Sequence, residues 1–313
     1  MLSRVANSIY WMSRYLERAD NVARFISVNV HLTLDFGMAG DDAQWLPLVV
    51  TSGDETDFAR RYGKPSEKNV IRFLTFDAKN SNSILSCISS ARENARTVRE
   101  AIPSDMWEKI NELYHLVQLH SRRQRVTNLQ EFYTHIRMCN HLFTGLLEDA
   151  MSREEGWHFA RMGKMIERAD KTARILDVKY FLLLPTPEYV DSPYDAVQWG
   201  AVLKSANAFE MYRKRFHRLN YKDVAQFLIF DPLFPRSMTH CVLAAERSLA
   251  AISETIAIKS AAQTEMGKLR TMLAKASIDS VLTGGLHEFV DIFQFNLNIV
   301  DQAIYQSFFD RRA

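Results

Sequence analysis

Apolar residues recur at the spacing of an α-helix from the beginning of the chain onward. Over residues 3–31 they form one stripe of a predicted helix, which consists of Ile9, Met12, Leu16, Ala19, Ala23 and Ile26. Residues 37–42 break this periodicity, and a second helix is predicted around Trp45 and Leu48. The pattern therefore predicts a long opening helix followed by shorter elements.

The rest of the first half predicts further helices separated by polar breaks. A short apolar turn is predicted at residues 70–76, and Ser83 stands at the start of a helix that reaches Glu100. Pro103 separates that helix from the next one, and a last long helix is predicted over residues 129–151. This half is thus typical of a helical bundle with short connections.

The second half follows the same plan over residues 154–309. Its first break, residues 183–187, contains two prolines, and residues 283–285 contain two glycines before the final helix. The absence of a long alternating pattern argues against strands and favours an all-α fold. We therefore expect two helical repeats, residues 1–151 and 152–313, packed as one bundle with pseudo-twofold symmetry.

An internal repeat links the two halves. Residues 15–24 return as residues 165–174 with six of ten positions identical, and both copies contain Glu-Arg-Ala-Asp. Further matches keep their order along the chain: Asp41 with Asp195, Gln44 with Gln198, Trp45 with Trp199, Arg61 with Arg215, Phe73 with Phe227, Asp77 with Asp231, Ser83 with Ser237 and Cys87 with Cys241. Chance similarity between amphipathic helices does not explain this order, so we interpret the chain as a duplicated helical unit.

Composition places the chain among ordinary globular proteins. Of its 313 residues, 47% are hydrophobic and 24% are charged, and the net charge is only +2. This near-balance argues against a dedicated nucleic-acid surface. The three cysteines form no C-x-x-C pair, and the sequence shows neither a secretory signal nor an apolar run of membrane-spanning length. We therefore expect a cytoplasmic protein that does not bind nucleic acid or membranes.

The repeated motif places charges on one face of each helix. Glu17, Asp20 and Arg24 lie well away from the apolar stripe at about 100° per residue. The second copy keeps these charges although its apolar positions change. A solvated face would drift faster, so we expect the charges to contact the other half, a partner or a ligand. The predicted binding or ion-pair set is Arg14, Glu17, Arg18, Asp20, Arg24, Arg161, Glu167, Arg168, Asp170 and Arg174.

Both copies of the motif resemble the signatures of a known family. Residues 2–12 (LSRVANSIYWM) lead into the first Glu-Arg pair, and residues 156–161 (GWHFAR) lead into the second. Residues 93–99 and 234–237 are also similar to this family. Together these segments resemble the bacterial alpha-E family, an all-helical domain of unknown function, over essentially the whole chain.

The resemblance implies a protein of bacterial operons that also encode circularly permuted ATP-grasp proteins and transglutaminase-like peptidases. This association in operons implies peptide-bond or amide-bond chemistry on a small peptide, without assigning that chemistry to the chain itself. The partners expected from the resemblance are therefore an ATP-grasp protein or a transglutaminase-like protein. A small peptide ligand and a homo-oligomer are also compatible with it.

The charged motif favours an ion-pair network over a metal centre. Carboxylates at i and i+3, such as Glu17 and Asp20, occur in two-metal helical bundles, but those sites also use Glu-x-x-His pairs. Here the neighbouring cationic residues neutralise the carboxylates and repel a metal ion. We therefore predict no metal and no cofactor, and the pattern identifies no catalytic residue.

Two other groups of residues are candidates for anion binding. Arg236 and Ser237 follow a proline at a predicted helix start, where an anion can bind. Arg92, Arg96 and Arg99 recur at nearly helical spacing and can face an acidic peptide, a phosphate or a partner's acidic surface. Simple solvated charge is the less specific interpretation of these arginines.

Three functions are compatible with the sequence. We favour a noncatalytic helical accessory protein that binds a partner enzyme or peptide in an ATP-grasp-linked modification pathway. The alternative is an enzyme of amide chemistry with Glu17 or Glu167 as its acid/base, which requires a carboxyl with a raised pKa in a pocket. The flanking arginines favour a lowered pKa instead. A self-assembling structural protein is the third possibility.

Overall fold

The computed structural model describes residues 1–35, 44–123, 128–183, 193–256 and 260–310. Within these ranges the chain forms 15 α-helices and no β-strand, which confirms the predicted all-α class. The helices group into two compact units, Met1–Ala160 and Arg161–Ala313. The sequence-based division between residues 151 and 152 stays a prediction; it falls slightly earlier, in the turn before the helix that continues from one unit into the next.

The first unit is built around four long helices. Its elements are α1 (Ser3–Asp35), α2 (Leu46–Ser52), α3 (Glu55–Tyr62), α4 (Glu67–Thr75), α5 (Ile84–Thr97), α6 (Ser104–Arg123) and α7 (Leu129–Ala150). Helix α1 packs against α5 and α7, and α6 packs against the same two helices. The four long helices therefore close a ring around one apolar core, as in a helical bundle.

The second unit also combines long and short helices. Its elements are α8 (Glu155–Leu183), which begins in the first unit, α9 (Pro193–Ser205), α10 (Phe209–Arg213), α11 (Tyr221–Phe230), α12 (Met238–Ile256), α13 (Ala261–Lys275), α14 (Ile278–Gly284) and α15 (Leu286–Ile304). Helix α13 packs against both α12 and α15. Leu269, Phe293 and Leu297 are buried on these helices and contribute to the core of the unit.

Helices α1 and α8 are buried on all sides over most of their length. No residue between Val5 and Val30 is exposed, and the same is true between Glu155 and Asp177. Every member of the predicted stripe of α1 has an exposed fraction of 3% or less. The stripe prediction is therefore confirmed, and the charged face on the other side of the helix is buried as well.

None of the helices in the described ranges is both long and apolar enough to cross a membrane. Helix α1 has 33 residues, a length that would suffice, but charged residues interrupt it at every turn of its middle section.

Side-chain caps explain where several helices begin. Ser66 starts α4 and Ser83 starts α5, and each hydroxyl accepts a hydrogen bond from a backbone N–H in the first turn. Asn128 starts α7 in the same way. Gly285 precedes α15 with a φ of 97°, which favours glycine. The predicted helix start at Ser83 and the glycine break before the final helix are thus confirmed.

One predicted element is wrong, because residues 70–76 do not form an apolar turn. Residues 70–75 are the second half of α4, and Val70, Phe73 and Leu74 are its buried face. The segment is too short for its periodicity to distinguish a helix from a turn by sequence alone. The predicted breaks at residues 37–42 and 184–187, and the repeated residue Asp41, lie outside the described residues.

Candidate functional site

The charged face of α1 contains a buried ion pair. Arg24 Nη2 donates to both carboxylate oxygens of Asp20 at 3.0 Å, across one helical turn. The exposed fraction is 1% for Arg24 and 0% for Asp20. Such a pair can be neutral to stability when intact, whereas loss of one member leaves an uncompensated charge in the interior. The pair is therefore a feature of the folded core.

Two amide side chains donate to the carboxylate of Glu17. Asn21 Nδ2 lies 3.4 Å from Glu17 Oε1, and Asn140 Nδ2 lies 3.4 Å from Oε2. Because Asn140 belongs to α7, the second contact joins α1 to α7. Sequence reasoning missed Asn140, although it stands on the helix face that also carries Ile136 and Phe143. A polar residue on an otherwise apolar stripe was the available signal.

The two arginines beside this face lie over aromatic rings. Arg14 Cζ lies 4.6 Å from the ring centroid of Trp11, and Arg18 Cζ lies 5.7 Å from that of Tyr15. Arg18 Nη1 also donates to Asn82 Oδ1 at 2.8 Å. Arg18 therefore fastens α1 to the loop before α5.

Helix α8 carries the second copy of the charged face. Arg174 Nε donates to both oxygens of Asp170 at 3.0 Å, and Lys171 Nζ lies 3.0 Å from Asp170 Oδ2 and 3.7 Å from Glu167 Oε1. Glu167 is fully buried. Burial acts to raise the pKa of Asp170, but the Lys171 ammonium and the Arg174 guanidinium outweigh it and hold this pKa below its usual range. Asp170 is therefore ionised at neutral pH.

Other polar residues of α8 bind the loop before α12. Arg168 Nη1 donates to the carbonyl of Pro235 at 3.2 Å, and Thr172 Oγ1 donates to that of Arg236 at 2.9 Å. Arg168 is buried, and Arg161 is half-buried on the same helix. Arg168, one of the predicted charges of α8, thus joins this helix to the loop before α12.

Arg236 and Ser237 lie at the start of α12, and both are buried. The Ser237 hydroxyl donates to the carbonyl of Asp231 and accepts from the backbone N–H of His240 at 3.0 Å. An anion at this helix N-terminus would have to displace the cap contact. In the structure, the Ser237 hydroxyl therefore caps α12.

Two repeated arginine–aspartate pairs make the same contact in their respective units. Arg61 forms an ion pair with Asp77, and Arg215 forms one with Asp231. In the first unit, the hydroxyl of Tyr62 also donates to Asp77 at 2.9 Å. Burial, followed by this hydrogen bond, raises the pKa of Tyr62 to about 12. Matching sequence positions therefore correspond to matching ion pairs.

The repeated serines and cysteines also share their contacts. The hydroxyls of Ser83 and Ser237 each donate to the backbone carbonyl six residues earlier. The thiols of Cys87 and Cys241 do the same at 3.6 Å. Each serine is the cap of the helix that follows it. These residues are structural in both units.

Helices α8 and α15 meet at a cluster of Asp177, His287 and Asp291. His287 Nδ1 lies 2.7 Å from Asp177 Oδ1, and its Nε2 lies 3.5 Å from Asp291 Oδ2. Because their ligand atoms lie within 4.8 Å of one another, these three can approach one metal ion. A histidine–carboxylate ion pair explains the arrangement without a metal. Sequence reasoning missed the cluster because its members are far apart along the chain.

The carboxylates of the repeated motif line none of three cavities that lie in the described ranges. Three cavities have volumes of about 1110, 490 and 740 Å³. Their lining residues include neither Glu17 nor Glu167. Both glutamates have an exposed fraction of 0%. The motif therefore lies in the protein interior rather than in an opening of substrate size.

A protein-family model matches residues 1–309 of the chain. The model is Alpha-E, described as a predicted alpha-helical domain with a conserved ER motif. The chain has this Glu-Arg dipeptide at residues 17–18 and again at residues 167–168.

Uncharacterized proteins of Mycobacterium bovis and Mycobacterium tuberculosis are similar to the chain as well. Each is 22% identical to it over an alignment of 258 positions, which covers 76% of this chain. The chain spans about 28% of the length of these relatives. No solved structure matches the chain.

Proposed function

The chain belongs to the Alpha-E family, and we propose that it is a noncatalytic helical accessory protein that binds a partner enzyme. The pathway we propose is an ATP-grasp-linked modification of a peptide or amide bond in the cytoplasm. The three cysteines form no disulfide, which suits a reducing compartment. In this proposal the charged faces of α1 and α8 maintain the fold, and other surfaces bind the partner.

Burial of the Glu-Arg motif is the observation that carries the noncatalytic part of the proposal. An acid/base glutamate has to reach the proton of a substrate, directly or through one water molecule. Glu17 and Glu167 are fully buried, and Asp170 has a pKa lowered by its cationic neighbours. A catalytic carboxylic acid would need the opposite shift. These properties are typical of an internal ion-pair network.

The proposed partner is a circularly permuted ATP-grasp protein or a transglutaminase-like protein. The family resemblance supports this partner class. The mycobacterial relatives are also consistent with it, because in them the similar segment is joined to a much longer polypeptide. We propose that the chain likewise acts beside additional polypeptide.

We further infer that the chain arose by duplication of one helical unit. The shared ion pairs, serine caps and cysteine contacts support this inference, since they occur at positions that the sequence repeat pairs with each other. The pseudo-twofold relation of the halves stays a prediction.

A quantitative pull-down from the native host tests the proposed role. The tagged chain and the tag alone are compared, and the bound proteins are identified by mass spectrometry. We expect enrichment of an ATP-grasp or transglutaminase-like protein. The recovered partner is then purified, and its turnover is measured with and without the chain, with ATP as the substrate for an ATP-grasp protein and a peptide for a transglutaminase-like protein.

Two results would contradict the proposal. The first is recovery of the well-expressed tagged chain without any enriched protein, which would show that the chain has no stable partner. The second is turnover of a peptide substrate by the purified chain without a partner. If the partner's turnover of its own substrate is unchanged when the chain is added, the accessory role is wrong even though the two proteins bind.

A further inference from the structure

The largest of the three cavities is an open groove of about 1110 Å³ in the first unit. Its walls are the beginning of α1, the end of α5 with the 3₁₀ turn Arg99–Ala101, and the beginning of α6. Thr97 Oγ1 donates to Ser8 Oγ at 3.2 Å and so joins the first two walls. The volume is sufficient for a small molecule or a short stretch of peptide.

Positive charge predominates in this groove. Arg4, Arg96 and Arg99 line it, together with the two carboxylates of Glu100 and Glu108. All five side chains are exposed. In the described part of the chain, neither Arg4 nor Arg99 forms an ion pair, so both guanidinium groups are available to an anionic ligand.

The guanidinium of Arg99 lies over an aromatic ring. Its Cζ lies 5.0 Å from the ring centroid of Trp107, which Arg92 also approaches at 5.6 Å. A stacked guanidinium uses its face for the ring and keeps its N–H edge for a carboxylate. Arg96 contacts Glu93 at 2.9 Å, but both are more than half exposed, so a ligand carboxylate can compete for it.

Apolar side chains lie beside these charges. Leu2 is 63% exposed at the rim of the groove, and Val5 and Trp107 line its wall. A phosphate or another small inorganic anion would leave this apolar surface uncovered. A ligand that carries both carboxylates and an aliphatic or aromatic side chain would use both parts of the groove.

The shared helical plan does not require Arg96 and Arg99. The repeat offset that relates Ser83 to Ser237 gives Ala250 as the second-half counterpart of Arg96 and Ser253 as that of Arg99. Helix α12 thus forms without the two arginines that α5 and the turn after it carry. Arg96 and Arg99 are therefore not needed for these helices to form, and a binding role explains why the first half carries them.

We infer that this groove binds an acidic peptide segment, with its carboxylates on Arg96 and Arg99 and an apolar side chain against Trp107. The inference rests on the proposed accessory role and adds to it a peptide-binding surface that selects acidic residues. Its test is separate, because the groove can bind peptide in a protein whose pull-down fails, and a partner can bind elsewhere.

Fluorescence anisotropy of the full chain with a labelled peptide of alternating glutamate and leucine tests this binding. We expect saturable binding that weakens as salt is added, because the contacts are charge-assisted. The same peptide with glutamine in place of glutamate should bind at least about tenfold more weakly. Arg96→Gln and Arg99→Gln should each weaken binding of the acidic peptide about five- to tenfold.

Arg153→Gln is the matched control, since Arg153 also lies over a tryptophan but outside the groove. Its Cζ is 5.3 Å from the Trp157 ring centroid, and its side chain is 68% exposed. We expect this variant to keep the affinity of the unmodified chain within about twofold. Circular dichroism and urea unfolding establish that each variant is folded before its affinity is compared.

Three outcomes would overturn the inference. One is the absence of saturable binding up to about 1 mM acidic peptide. Another is equal loss of affinity in the Arg153 variant and the groove variants, which would indicate general charge attraction. The third is tighter binding of single-stranded DNA than of peptide at equal charge, with the same dependence on Arg96 and Arg99, which would make the groove a polyanion site.

Discussion

At the scale of single residues, burial separates the charges of this chain into two kinds. Asp20 and Arg24 form their ion pair with an exposed fraction of no more than 1%, whereas Arg60 pairs with Asp57 while 75% exposed. Exposed pairs are screened by water and contribute little to stability. A buried pair is costly to break, because the remaining charge has no water to solvate it.

Arg24→Met should therefore lower the free energy of unfolding by about 3–5 kcal/mol, because Asp20 would stay buried without its guanidinium partner. Urea unfolding followed by circular dichroism measures this change. Arg60→Met, the control at the exposed pair, should change the free energy by no more than about 1 kcal/mol. Similar costs for the two variants would show that the pair formed by Arg24 is solvated in solution.

At the scale of elements, helix caps and the contacts between helices position the helices that carry these charges. Ser83 and Ser237 cap α5 and α12 in equivalent ways and are both fully buried. Local signals made the first of these predictable, because a serine before an apolar run is a common helix start. Anion binding at Arg236 and Ser237 stays a prediction, since a cap and an anion site use the same backbone N–H groups.

Ser83→Ala and Ser237→Ala should each cost about 1–2 kcal/mol of unfolding free energy, because each leaves a backbone N–H without its cap. Ser89→Ala is the control: Ser89 lies within α5 and donates only to the carbonyl of Leu85. It should change the unfolding free energy by less than about 0.5 kcal/mol. A large cost at one cap and none at the other would contradict the equivalence of the two helix starts.

The contact between α8 and α15 should depend on pH near neutrality. The hydrogen bond to Asp177 raises the pKa of His287, and Asp291 and Glu288 act in the same direction. A raised histidine pKa contributes stability that is complete below about pH 6.5 and is lost as pH rises through the folded-state value. The stability advantage of the unmodified chain over His287→Gln should therefore shrink as pH rises above neutrality.

Titration of His287 by NMR measures its pKa directly, and Asp177→Asn provides the comparison. This variant removes the carboxylate that accepts from His287 Nδ1, so the pKa of His287 should fall. Burial raises the pKa of Asp177 itself, while the hydrogen bond with His287 acts in the opposite direction. An unchanged pKa of His287 in Asp177→Asn would mean that the two side chains do not interact in solution.

At the scale of the whole molecule, the sequence predicted what local spacing determines and missed what distant segments bring together. The stripe on α1 follows from a period of 3.6 residues, and a contact between Asp20 and Arg24 follows from their i, i+4 spacing. The bond from Asn140 to Glu17 joins positions 123 residues apart, and no pattern within one helix indicates it. The groove formed by α1, α5 and α6 was likewise visible only as a series of arginines.

The combined variant Glu17→Gln and Glu167→Gln distinguishes a structural motif from a catalytic one. Each glutamate is fully buried, and Asn21 and Asn140 donate to Glu17, so an amide at this position would place a donor against donors. We expect a loss of about 1–3 kcal/mol of unfolding free energy for each substitution. Recovery of the partner per folded molecule should stay unchanged, as it should in the exposed control Glu112→Gln, which lies outside the groove. A folded, partner-bound double variant with turnover of the pathway reduced about 100-fold or more would instead identify a glutamate as an acid/base, because that loss is typical of removing a proton-transfer group.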